Sequence, residues 1–164
     1  MIDRVKGQNV WGNKLLVCSN PYLKHYVMFC DLKKIGDEYE YTYLKFKYKP
    51  SLSEVKEVII GYYNSLCDEE IRSGLEFEGN QVWLSQENQI NYKSAFDLNF
   101  QNVSAGKPFI PMTFKLGTDE EPVYRNFEDI SDMQVFITAC FTHIQNTLSK
   151  YWEIKDNIDW NKYQ

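Results

Sequence analysis

Residues 71–92 read IRSGLEFEGNQVWLSQENQINY, which puts a helix end, a tight turn and a helix start into one short stretch. Ile71-Arg72-Ser73-Gly74 has the composition of a last helical turn, with glycine at the C′ position. A left-handed residue is expected there, and only glycine enters that region without a steric penalty. Leu75, Phe77, Val82 and Leu84 alternate with polar residues around Glu78-Gly79-Asn80, the pattern of a short β-hairpin. Ser85 is placed to cap the next helix, with Gln86, Glu87 and Gln89 close behind it. Trp83 reads as a core anchor. Every residue type in the stretch has a structural reason, and none carries chemistry of its own.

Working outward on the N-terminal side, Pro50 is followed by Ser51-Leu52-Ser53-Glu54, the capping-box pattern that opens a helix. Leu52, Val55, Val58-Ile59, Tyr62 and Leu66 then recur at helical spacing. Two readings stand for this helix: continuous to Ser73, or broken near Asn64-Ser65 and restarted at Asp68. On the C-terminal side a second helix runs from Gln86 to about Val103, with Ile90, Phe96, Leu98 and Phe100 less regularly spaced, and Ser104 to Pro108 breaks it. Phe109–Lys115 and Pro122–Phe127 predict a second hairpin around Gly117-Thr118-Asp119-Glu120-Glu121, with Pro111 and Pro122 suited to a strand end or an edge. A last stripe, Ile130, Met133, Phe136-Ile137, Cys140, Ile144, Thr147-Leu148, Tyr151, Ile154 and Ile158, predicts a helix of about eight turns free of glycine and proline.

Residues 1–49 read as β, with strands at Lys14–Cys18, His25–Leu32 and Glu38–Lys49. The third has an irregular phase. Tyr39, Tyr41 and Tyr43 take odd positions, whereas Leu44, Phe46 and Tyr48 take even ones. A strict period of two sends these sets to opposite faces. A β-bulge near Tyr43-Leu44 would reunite them and is the favoured reading; a strand covered first on one face and then on the other is the alternative. The fold class that follows is α+β: an N-terminal antiparallel β unit (1–49), then a helix–hairpin–helix–hairpin–helix domain (50–164).

Composition narrows the function classes. A chain of 164 residues with 16% aromatics is expected to fold around a real core and not to be disordered. The net charge of −5 argues against a nucleic-acid surface. No apolar window is long enough to span a membrane, and MIDRVKGQNVWGN lacks the apolar core of a signal peptide. Cys18, Cys30, Cys67 and Cys140 show no CxxC spacing and no neighbouring histidine pair, so they read as free thiols of a reducing compartment. Cys18 and Cys30 would pair only if adjacent strands brought them together.

No catalytic, cofactor or metal residue is assigned. Cys140 and His143 sit three apart on the last helix, but a nucleophile also needs an oriented base and an oxyanion site, so His143 reads as a boundary residue bonded to solvent or backbone. His25 lies on a strand. Asp68-Glu69-Glu70 and Asp119-Glu120-Glu121 lack the alternating oxygens of a cation loop and read as solvated turns. Phosphate-loop, GxSxG and HExxH patterns are missing. Two recognition surfaces stand as candidates: Tyr39, Tyr41 and Tyr43 as a partner or glycan ladder, with a core-facing strand the more ordinary reading, and the polar face of Asn88, Gln89 and Asn91, which more simply are cap and surface residues.

The residues Ile71…Gly74, Gly79…Val82-Trp83-Leu84-Ser85, Glu87-Asn88-Gln89 and Asn91 recur in order with Pro111…Thr113-Phe114-Lys115, Val123-Tyr124…Phe127 and Ile144…Lys155…Ile158-Asp159-Trp160. In this, residues from about 71 to 160 resemble a domain family of unknown function found in tailed-phage and prophage proteins, often within tail-fibre or tail-fibre-assembly-like proteins. Leu52–Asn64 fits versions with a preceding helix, and residues 1–49 match none. The resemblance implies a non-enzymatic phage protein, either a virion component of tail or fibres or a fibre assembly factor. It would work in repeated copies with other phage structural proteins, in the virion or in the bacterial cytoplasm during assembly. It transfers no catalytic residue. A glycan-binding module using the tyrosines, or a small host-protein-binding factor, are the alternatives.

Overall fold

A computed structural model gives the structure of residues 3–8 and 12–164. In chain order the elements are β1 (Asp3–Gly7), β2 (Leu16–Asn20), β3 (His25–Ile35), β4 (Glu38–Phe46), α1 (Leu52–Ser73), β5 (Leu75–Phe77), β6 (Asn80–Val82), α2 (Gln86–Ser104), β7 (Met112–Gly117), β8 (Pro122–Phe127) and α3 (Ile130–Asp156), closed by a 3-10 turn at Trp160–Tyr163. The class is α+β: an antiparallel four-stranded sheet ordered β1-β4-β3-β2, then helix–hairpin–helix–hairpin–helix. The chain forms two units, residues 1–63 with 155–164 and residues 64–154. The first therefore takes in the start of α1 and the C-terminal residues beside the β region.

In the first unit, β4 keeps one unbroken register against β1 and, from Thr42 to Phe46, against β3. No bulge lies at Tyr43-Leu44; the irregularity falls on β3 between Cys30 and Lys33, where Asp31 has φ +50°. The alternative reading of the phase change holds instead: β4 is covered on both faces. On its odd face Tyr39, Tyr41 and Tyr43 cluster with Val27 and Phe29. On its even face buried Thr42 pairs its hydroxyl with that of Tyr62 on α1 at 3.1 Å, and Tyr62 also donates to Asp31 at 3.2 Å. The chain end ties into the same sheet: Tyr163 donates its phenol to the Phe29 carbonyl at 3.0 Å, and the Leu15 amide donates to the Lys162 carbonyl at 2.7 Å.

The capping box forms as expected. The Glu54 amide donates to Ser51 Oγ at 3.2 Å, and the Glu54 carboxylate accepts from the Ser51 amide at 2.8 Å, so two amides without helical partners are satisfied reciprocally. From there α1 runs unbroken through Asn64-Ser65 to Ser73. Asp68-Glu69-Glu70 thus lies inside a helix, not in a turn.

In the second unit the hairpin closes through Glu78 (φ +52°) and Gly79 (φ +76°), two consecutive left-handed residues as a type I′ turn requires. Leu75, Phe77, Val82 and Leu84 are all buried, in one core with Tyr92, Leu116, Phe127, Met133, Phe136 and Cys140. Two residues of this stretch differ from expectation. Gly74 is not left-handed; it is needed because a Cβ there would lie 2.5 Å from the Glu70 carbonyl and 3.1 Å from the His143 ring. Trp83 is not a core anchor but 44% exposed, with the Arg72 guanidinium 5.7 Å from its ring centroid. The second hairpin begins at Met112 and not at Phe109. Ahead of it, fully buried Asn99 donates to the Ile110 carbonyl and accepts from the Ile110 amide, fixing how the chain leaves α2.

All four cysteines are free thiols, Cys18 exposed and the other three buried. Cys18 faces Tyr26 across β2–β3, four residues from Cys30 and so about 13 Å along the strand, outside disulfide reach. Burial pushes the Cys140 thiol up to about 12. Maleimide added to the native protein should therefore label Cys18 alone, with the other three reacting only in denaturant; a second rapidly modified site, mapped by mass spectrometry, would contradict this burial pattern.

Candidate functional site

A cleft of about 510 Å³ in the second unit is built by three elements. β6 and the segment after it supply Gln81 and Trp83, α2 supplies Asn88, Asn91 and Tyr92, and β7 with its turn supplies Thr113, Phe114, Lys115, Thr118 and Asp119. Ser85 sets the pitch of α2 against the hairpin: its hydroxyl accepts from the Asn88 amide at 3.2 Å, as the sequence anticipates for an N-cap. Asn88 then donates its side-chain amide to the Trp83 carbonyl at 2.8 Å, and Gln89 donates to the Leu84 carbonyl at 2.8 Å. Both are turn-fixing residues, as their ordinary reading has it, although Asn88 also lines the cleft.

Gln81 donates to the Ser73 carbonyl at 3.0 Å, tying β6 to the end of α1. On the opposite wall Lys115 and Asp119 form an ion pair at 2.7 Å, which lowers the Asp119 carboxyl and raises the Lys115 ammonium from their usual values. The cleft floor is aromatic: the Tyr92 and Phe114 rings lie 4.6 Å apart, and burial pushes the Tyr92 phenol up to about 12. The arrangement supplies amides, hydroxyls, a self-neutralised charge pair and apolar rings.

A second, apolar cavity of about 440 Å³ lies between α2 and α3, lined by Phe96, Ile137, Phe141 and Ile144 over Leu84 and Cys140. Among the described residues no group of three His, Cys, Asp or Glu side chains could hold a metal. No helix there is long and apolar enough to cross a membrane.

The other candidate residues fall outside the cleft. Tyr41 is buried, and Tyr39 and Tyr43 are half-buried against Val27 and Phe29 in the first unit. His143 meets the Glu70 backbone carbonyl at 2.9 Å, the backbone-bonded boundary position expected of it. The raised Cys140 thiol is neutral at physiological pH and so a poor nucleophile. Around the same α1 end, Glu70 accepts from Lys150 at 2.6 Å and from the Tyr151 phenol at 2.9 Å.

The bond from Lys150, with help from Tyr151 and against partial burial, holds the Glu70 carboxyl below its ordinary value of 4.5. A depressed folded-state value means stability that is present above the unfolded value and lost as pH falls through the folded one. Glu70→Gln should therefore be less stable than the native chain at pH 7, with the gap closing as pH drops below 4.5. Urea midpoints measured across that range check it, and a constant gap would rule out the carboxylate as its source.

A family model described as a domain of unknown function (DUF4376) matches residues 54–163. The chain belongs to that family. The whole cleft, Gln81 to Asp119, lies inside the DUF4376 segment, whereas β1 to β4 precede it. Neither the curated proteins nor the solved structures gave a match.

Within DUF4376, sequence reasoning singled out Asn88 and Asn91 but missed Gln81, Thr113, Lys115 and Asp119 as their neighbours. The available signal was the alternation of Thr113 and Lys115 with Met112, Phe114 and Leu116, which marks a polar strand face without saying what faces it.

Proposed function

We propose that this protein is a non-enzymatic structural protein of a tailed bacteriophage, either a virion component associated with tail or fibres or an assembly factor for them. It acts in the virion or in the host cytoplasm during assembly, through contacts with other phage proteins in repeated copies. The observation that carries the contact reading is the apolar dress of two helices: Ile90 is 65% exposed on α2, and Phe141 and Trp152 are 62% and 51% exposed on α3. Phe141 and Trp152 stand eleven residues apart, about three turns, and so fall on one face of α3, the arrangement that supports a contact with another protein. The phage setting is supported by the resemblance of residues 71–160, which overlaps the DUF4376 match for most of its length.

Quantitative mass spectrometry on purified particles and on host lysate tests the proposal. A fixed ratio to tail proteins in particles supports the virion form. Recovery only in lysate, bound to unfinished fibres, supports the assembly form. Recovery in neither overturns both.

A further inference from the structure

We propose that the cleft between β6, α2 and β7 is a binding site for a short, neutral saccharide. The inference stands apart from the phage reading and concerns residues of the second unit, not the tyrosines of the first. A cavity of about 510 Å³ lies within the size range of small-ligand sites. Three features narrow what fits it.

The first is a set of oriented acceptors. Asn88 and Gln81 both donate their side-chain NH2 to backbone carbonyls, of Trp83 and Ser73, and a carbonyl cannot be met by the amide oxygen. The amide orientation is thereby set, and each carbonyl oxygen remains as an acceptor on the cleft wall. Exposed Asn91 adds an amide with both a donor and an acceptor. Thr118 accepts from the Glu121 amide through its hydroxyl oxygen, so its proton can be donated elsewhere. A ligand that both gives and takes hydrogen bonds at several adjacent points matches this set, and vicinal hydroxyls do so.

The second is charge. Lys115 and Asp119 neutralise one another at 2.7 Å, so a charged ligand finds no uncompensated partner on this wall, while the spare donors and acceptors of the pair still suit hydroxyls. The third is the indole of Trp83, 44% exposed, steadied by Arg72 and lining the cleft together with Tyr92 and Phe114. An aromatic ring beside convergent polar groups suits a molecule with one C–H face and a hydroxylated rim. A peptide could also use the acceptors, but the exposed indole and the amide-lined wall with its self-neutralised ion pair favour a pyranose.

The test is a glycan array carrying neutral and anionic oligosaccharides, probed with the purified full chain, followed by titration calorimetry of the strongest neutral hit. Asn91→Ala and Trp83→Ala should each weaken that hit at least tenfold, with unchanged circular dichroism. Tyr22→Ala, at a 97% exposed position in the first unit, should leave it intact. Asn91 is an exposed residue of α2, so its variant remains informative even if Trp83→Ala folds poorly. No neutral hit, binding confined to anionic glycans, capture of peptides instead, or affinity indifferent to Asn91→Ala would overturn the proposal.

Discussion

Replacing Phe136 by alanine should destabilise the second unit by about 3–5 kcal/mol, the cost of emptying an aromatic site in a core that cannot fully collapse. The site is the meeting point of that core. Phe136 is fully buried on α3, and its ring lies 5.1 Å from Phe77, 5.1 Å from Tyr92, 5.3 Å from Phe127 and 5.7 Å from Phe114. Those four rings come from β5, α2, β8 and β7, so one side chain holds both hairpins and both helices in register. Because the chain has two units, a single melting curve can mix two transitions. Native-state hydrogen exchange separates them: the slowest amides of α3 and of the β5–β6 hairpin should lose the full amount. Phe136→Leu, which keeps most of the apolar volume, should lose less than half as much. A loss under about 1 kcal/mol in the alanine variant would mean that the rings close over the void, and that this packing is not what defines the unit.

The parts of this fold that were legible from sequence are those whose cause is local. Ser51 and Glu54 make a capping box because the two groups that bond are three residues apart, and the same holds for Ser85 and Asn88. The hairpin at Glu78-Gly79 was legible because a two-residue turn needs left-handed residues and glycine supplies one cheaply. The misreadings share the opposite cause. The phase change in β4 suggests a bulge because sequence alone does not tell that α1 covers the even face at Thr42 while Val27 and Phe29 cover the odd one. Trp83 follows buried Val82 and precedes buried Leu84, so alternation itself puts it on the other face; its size suggested the core, and its position decided otherwise. The cleft was the least legible feature. Its polar walls come from β6, α2 and the β7 turn, and each segment taken alone reads as an ordinary solvated surface.

Gly74→Ala should cost about 1–3 kcal/mol, in the range of overpacking at a site that cannot yield. The reasoning differs from the usual one for a glycine after a helix. A left-handed C′ glycine resists alanine through its own backbone strain, and asparagine is the accepted substitute there. Gly74 has no positive φ, so asparagine should be no better than alanine. What excludes both is space. The added Cβ would lie 2.5 Å from the Glu70 carbonyl oxygen, which is helix backbone, and 3.1 Å from the His143 ring. That carbonyl already accepts from the Gly74 amide at 2.9 Å and meets His143 at 2.9 Å, so moving it disturbs two contacts at once. Chemical denaturation of Gly74→Ala and Gly74→Asn distinguishes the two causes. Equal losses, with the His143 ring resonances shifted in both variants, would confirm the steric account. Retention of near-native stability by asparagine alone would show that the backbone at this helix end is left-handed in solution. The junction between α1 and β5 would then be held by conformation and not by close packing against α3.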